Sequence, residues 1–166
     1  MTEAAPPDKA SLVTLREVTR ENLRDILRLK VSPAQERLVA PNAVSIAQAH
    51  FHPEAWFRGI CAGDTAVGFA MLEDWSRLPE LAPGNWRHEP YVGLWRFMID
   101  ARYQSLGFGA QAMRLLVDHA RSVPGTRAML LSFVDMPGSP EGFYRRFGFE
   151  RTGEVSEGEH VMRLAL

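Results

Sequence analysis

The stretch that most constrains this chain runs from Tyr91 to Ala110. It joins a continuous apolar run, YVGLWRFMI (91–99), to a short polar turn and then to QSLGFGA (104–110). An apolar run of nine residues reads as a buried strand. The residues after it place Phe108, Ala112, Leu115, Leu116 and Ala120 on one helical face. Two glycines, Gly107 and Gly109, stand where turn becomes helix and let the backbone approach a ligand closely. The first N–H groups of a helix have no internal partner and sit at the positive end of its dipole. A strand, a glycine turn and a helix start in this order make a candidate diphosphate site.

The glycines also fit a G-x-G-x-x-A dinucleotide fingerprint at residues 107–112. That motif places its first glycine directly after the strand and an acid about 20 residues later. Here DARYQSL (100–106) intervenes, and residues 126–132 read TRAMLLS, without an acid. Gln104-x-x-Gly107-x-Gly109 instead resembles the Q/R-x-x-G-x-G/A motif of the GNAT superfamily of N-acetyltransferases. A second segment, GFYRRFGFE (142–150), is similar to another recurrent segment of that family. There a tyrosine on a short helix precedes an aromatic–Gly–Phe turn. Many relatives carry Asn seven residues before the tyrosine, where this chain has Pro137.

Read in order, the chain begins with a tail at 1–10, followed by a single domain over 11–166. LVTLREV (12–18) alternates as a half-buried strand. Thr19 caps an expected helix through Leu23, Ile26, Leu27 and Lys30. AQERLVA (34–40) reads as a short helix, and NAVSIAQAHF (42–51) as another capped by Asn42. Strands at 56–61 and 66–74 form a hairpin. The loop at 76–90 carries three prolines and Trp86 and is long enough to be functional. The strand at 91–99, helix at 107–121, strand at 127–134, helix at 140–148 and a closing strand pair at 149–155 and 159–166 complete the order. One crossover helix between apolar strands implies one parallel pair in an otherwise antiparallel sheet. The expectation is an α/β (α+β) chain of GNAT fold. Its mixed, mostly antiparallel sheet has one splayed parallel strand pair and helices on both faces.

The resemblance implies acetyl-coenzyme A as acetyl donor. Its diphosphate would lie on Gln104, Ser105, Leu106, Gly107, Phe108, Gly109 and Ala110, and its pantetheine arm along the backbone of Phe97, Met98 and Ile99. The N–H of Ile99 would serve the oxyanion. Tyr144 corresponds to the tyrosine many members use as general acid. A phenol of pKa near 10 can protonate a leaving thiolate of pKa near 8.5. An amine with a lysine-like pKa needs a proton acceptor at neutral pH. Glu73, Asp74 and Glu36 are the carboxylates placed for it, and Glu73 and Glu36 are the catalytic candidates.

The front of the chain carries a narrower likeness. Leu29, Val31, Gln35, Val39, Ala40 and Asn42 match an L-x-V-x₃-Q-x₃-V-A-x-N pattern of bacterial spermine/spermidine acetyltransferase-like members. This implies a polyamine or similar small amine as acceptor, with Glu36, Trp75 and Trp86 able to hold a polycation by charge and cation–π contact. Acetylation of a protein α-amine or another small amine, or a non-catalytic acyl-coenzyme A sensor, are the alternatives. A homodimer is left open.

Composition narrows the partners. A formal net charge of −1 gives no reason to expect nucleic acid or a membrane surface. The lone Cys61 is consistent with a cytoplasmic setting. His50 and His52 flank Phe51 like a pair of metal ligands, but without a second cluster no metal is expected.

Overall fold

The computed structural model describes residues 6–82 and 89–166, so residues 1–5 of the tail and Trp86 lie outside the described residues. Among the described residues, seven strands form one sheet in the order β1-β2-β3-β4-β5-β7-β6. They are β1 (Val13–Arg16), β2 (Ala55–Ala62), β3 (Thr65–Asp74), β4 (Tyr91–Ile99), β5 (Ala128–Phe133), β6 (Glu150–Ser156) and β7 (Glu159–Ala165). The α-helices described with them are α1 (Leu23–Arg28), α2 (Asn42–Ala49), α3 (Phe108–Ser122) and α4 (Glu141–Arg145). Of these strands β4 and β5 alone pair in parallel, bridged by α3.

Alternation along the strands sends residues to two cores. On one face Val92, Leu94 and Ile99 of β4 meet Phe108, Ala112, Met113 and Leu116 of α3. On the other, Phe69, Met71 and Met98 meet Ile26 and Leu29 at α1. Helices therefore cover both faces, as the sequence leads one to expect.

The opening in the sheet has a local cause. Parallel pairing runs from Tyr91↔Ala128 to Leu94↔Leu131 and stops there. On the opposite side, Leu72 pairs with Leu94 but Met71 pairs with Arg96, so Trp95 is an extra residue in β4. A bulge of this kind bends the strand and increases its twist. It falls where β4 leaves β5, so Phe97 to Ile99 stay bound to β3 while diverging from β5. Their own register is tight: a Cβ on Gly68 would sit 2.4 Å from the Met98 carbonyl oxygen and 2.8 Å from Ile99 Cδ1. Gly68→Ala should therefore cost about 1–3 kcal/mol through overpacking. A thermal melt should show a midpoint several degrees lower, and an unchanged midpoint would mean the strands move apart freely.

Two elements differ from the sequence reading. Residues 34–40 do not form an α-helix; only a 3₁₀ turn at Pro33–Gln35 is present. Ser32 and Gln35 make a capping box around that turn, so its polar groups are satisfied without further helix. Asn42 is not the cap of α2; Pro41 occupies that position. The Asn42 side chain is buried and donates instead to the Ile26 carbonyl at 2.8 Å, closing the end of α1. Helix α1 is also shorter than expected, because Thr19 and Asn22 make a turn before it and Leu29 is already extended.

Candidate active site

The two sides of the divergent strands differ in chemistry. On the α3 side a cleft of about 460 Å³ is lined by Phe97, Ile99, Gln104, Ser105, Gly107, Gly109, Phe143 and Tyr144, among others. The Asp100 N–H donates to the Val67 carbonyl on β3. In an antiparallel ladder, backbone groups alternate in direction. Phe97 and Ile99 therefore turn their N–H and C=O groups away from β3, toward the cleft, whereas Met98 turns its groups to β3. The Met98 side chain enters the core under α1.

The turn at 104–107 has the backbone of an anion cradle. Gly107 (φ +88°) and Ser105 (φ +64°) are both left-handed, the latter an unusual conformation for a residue with a side chain. Alternation of this kind turns successive N–H groups inward. Directly after it, α3 offers the N–H groups of Phe108, Gly109 and Ala110, which an α-helix leaves without internal partners. Leu106 packs against the α3-side core, and Phe108 is fully buried there and fixes the start of the helix. A Cβ on Gly109 would meet Ile99 and Phe143 only at ordinary contact distances of 3.5 and 3.8 Å. The residues present thus fit a diphosphate carried on an extended arm.

Gln104 has a different task from direct contact with the turn's N–H groups. Its Nε2 donates to the Ile99 carbonyl at 2.9 Å and to Gln35 Oε1 at 2.8 Å. The front pattern is thereby explained in part: Gln35 ties the 3₁₀ turn to the glycine loop, and Val31, Leu38 and Val39 line the same cleft.

Tyr144 stands where this cleft meets a second one of about 740 Å³; Phe97, Leu38, Val39 and Pro140 line both as well. The tyrosine is buried, and desolvation pushes its phenol well above the ordinary range. Its ring meets Phe143 and Phe149 edge-on. Helix α4 is only five residues long and is anchored from outside. Glu141 accepts from Arg151 of β6 and from Arg145, and Arg151 holds its carboxyl down at about 2.

The second cleft is lined by Glu36, Glu73, Glu157 and Glu159, with Trp95 and Arg96 along β4. Glu73 ends β3 and accepts from Trp75 Nε1 at 2.7 Å. Burial pushes its carboxyl up from the ordinary value; the Trp75 hydrogen bond opposes this and the nearby Glu54 reinforces it. Glu36, in the same lining, is exposed. Asp74 is turned away to cap the next 3₁₀ turn, accepting from Ser76 N at 3.2 Å. Arg96 on β4 and Arg146, which lines the first cleft, escape a reading of the sequence: the apolar run around Arg96 reads only as a strand, and the segment around Arg146 draws attention to its tyrosine. No trio of His, Cys, Asp or Glu able to hold a metal occurs among the described residues. Among them, too, no helix is long and apolar enough to cross a membrane.

Comparison with known proteins shows the family and the fold. Residues 20–149 match the model of the acetyltransferase (GNAT) family. The spermine/spermidine N(1)-acetyltransferase of Bacillus subtilis (strain 168) is 30% identical over 154 residues, covering 90% of this chain and 96% of that one. An acetyltransferase from Thermus thermophilus superposes with a TM-score of 0.69 at 16% identity, covering 93% of this chain and 97% of the other. The paia N-acetyltransferase of Thermoplasma acidophilum, solved with coenzyme A, gives 0.64 at 13% identity over 93% and 99%. The chain belongs to the GNAT family of acetyltransferases. It is an acetyl-coenzyme A-dependent N-acetyltransferase.

Proposed function

We propose that the acceptor is a small polyamine-like primary amine, that Glu73 takes its proton, and that Tyr144 supplies a proton to the departing sulfur. The observation that carries this reading is the meeting of two clefts at Tyr144, one with an anion cradle and one lined by four glutamates. Acetyl-coenzyme A brings an activated thioester carbonyl. Ser105 to Ala110 hold its diphosphate, Gln104 fixes that turn, and Phe97 and Ile99 offer backbone groups to its arm. Met98 secures the strand from the far side. The Ile99 N–H faces the cleft and polarises the acyl oxygen.

An amine of pKa near 10.4 is neutral only about once in a few thousand at pH 7, so a base is needed. A carboxylate whose affinity for protons is raised by burial suits that task better than a solvated one. Glu36, which is exposed, contributes charge instead. The name of the Bacillus subtilis relative supports a polyamine.

If the cleft holds a polycation, KM for spermidine should rise with salt, because exposed charges are screened within about 10 Å at 0.1 M. Glu36→Gln should raise KM for spermidine more than for a monoamine of similar length. Glu73→Gln should lower kcat, with partial recovery at high pH where more amine is already neutral. A salt-independent KM would count against the polycation.

Arg96 favours a second reading, an amine bearing a carboxylate or amide oxygen, as in an amino acid or a protein N-terminus. Among the described residues its buried Nε has no hydrogen-bond partner, and its other nitrogens reach only the Trp95 carbonyl and, at 3.3 Å, Gln48. A guanidinium so poorly matched is completed by an oxygen acceptor. Turnover of amino acids or N-terminal peptides in place of spermidine would establish this alternative.

A further inference from the structure

A buried carboxylate stands at the start of the strand that pairs with the end of β3, where Glu73 lies. Glu54, one residue before β2, is among the few charged side chains that are buried, with 5% of its side chain exposed. Its Oε1 is 2.6 Å from His52 Nδ1, a close hydrogen bond. The His52 side chain is 45% exposed, so the pair links a buried carboxylate to solvent. The fold brings this pair to the base. Ala55 is the register partner of Glu73, and the Glu54 carbonyl accepts from the Asp74 N–H at 2.9 Å. The His52 ring meets Trp95 edge-on at 5.0 Å, and Trp95 lines the acceptor cleft.

Burying a carboxylate is costly unless it is paired, and two carboxylates side by side resist ionising together. We propose that Glu54, held by His52, is a positioning residue for the reaction, acting on Glu73 across the β2–β3 pairing. This rests on Glu73 being the base. Glu36, Glu157 and Glu159 line the same cleft as Glu73, and the groups that act on it most directly are Glu54, Trp75, His52 and Arg96. Glu54 opposes ionisation of Glu73, as burial does. Trp75, through its N–H, favours it, as do the guanidinium of Arg96 and, whenever it is protonated, His52. Burial pushes the Tyr91 phenol up, and the Glu73 charge pushes it further. Glu54 and His52 thus push Glu73 in opposite directions, and their removal can be told apart.

The test is the pH dependence of kcat at saturating acetyl-coenzyme A. Spermidine is the acceptor or, should it not be acetylated, the amine of a panel that is. The full chain is compared with Glu54→Gln, His52→Gln and Glu73→Gln, each checked by thermal melting across the same pH range. A protonated Glu73 cannot accept a proton, so kcat falls as pH drops through its pKa. Glu54→Gln keeps the shape and the hydrogen bond to His52 but removes the charge. Its acidic limb should move to lower pH by about half to one unit, the effect of one screened neighbouring charge. His52→Gln should move the limb the other way. A folded Glu54→Gln protein with its limb at the wild-type position overturns the proposal. Should that variant not fold, Glu54→Asp, which keeps the charge but withdraws it by one methylene, serves instead, and a limb at the wild-type position in both Glu54→Asp and His52→Gln overturns the proposal. A wild-type profile in Glu73→Gln has a different meaning: it removes Glu73 as the base and this inference with it.

Discussion

Tyr144→Phe should lower kcat by about 10²-fold or more, the range expected for loss of a general acid. Affinity for acetyl-coenzyme A should change little. The phenyl ring keeps its edge contacts with Phe143 and Phe149, and the stacked pair Phe97–Phe143 beneath the cleft is not disturbed. Burial holds the phenol protonated well beyond neutral pH, so the acid is in its working form wherever the amine can react. The basic limb of kcat should therefore not fall within the ordinary phenol range near pH 10. Single-turnover rates of the variant beside the wild type would isolate the chemical step. Wild-type turnover without the hydroxyl would leave Tyr144 a packing residue.

Gly109→Glu should abolish measurable binding of acetyl-coenzyme A while the protein still folds. The Cβ itself is tolerated, since its nearest neighbours lie at ordinary contact distances. An acidic side chain in the first turn of α3 is favourable to the helix dipole, so stability should hold or rise slightly. The same carboxylate, however, enters the cleft at the N–H groups that would receive a diphosphate. Gly109→Ala serves as the control and should bind with only a modest loss. Calorimetry showing wild-type affinity in folded Gly109→Glu protein would place the cofactor elsewhere.

The parts of this molecule that are legible in its sequence are those encoded locally. Strand β4, the glycine turn and the apolar face of α3 follow one another in a single stretch, and the period of the apolar residues fixes each. The same holds for the pairing of β6 with β7. What the sequence does not disclose depends on partners far along the chain. Residues 34–40 carry helix-forming side chains, yet Gln35 is captured by Ser32 and by Gln104, 69 residues away. Asn42 looks like a cap but is drawn to a carbonyl on another helix.

The candidate site divides in the same way. Tyr144 and the glycine turn at 104–110 belong to motifs visible in the sequence, and both line the first cleft. The family resemblance puts Met98 among the backbone contacts to the cofactor. Met98 lines the first cleft with Phe97 and Ile99, while its side chain enters the core under α1, and no local pattern reveals that division. In the sequence Glu73 is one carboxylate among several; burial, Trp75 and Glu54 distinguish it in the fold. His52 is readable only as half of a metal pair, because its partner, Glu54, is identified by burial rather than by spacing.

The most direct test of the proposed function is a thiol-release assay. The wild-type protein and acetyl-coenzyme A would be offered spermidine, spermine, monoamines, free amino acids and N-terminal peptides at matched concentration and ionic strength. For a polyamine acceptor site, kcat/KM should be highest for a polyamine and should fall for it as salt is raised. Preference for a carboxylate- or amide-bearing amine, with neither polyamine acetylated, would contradict it.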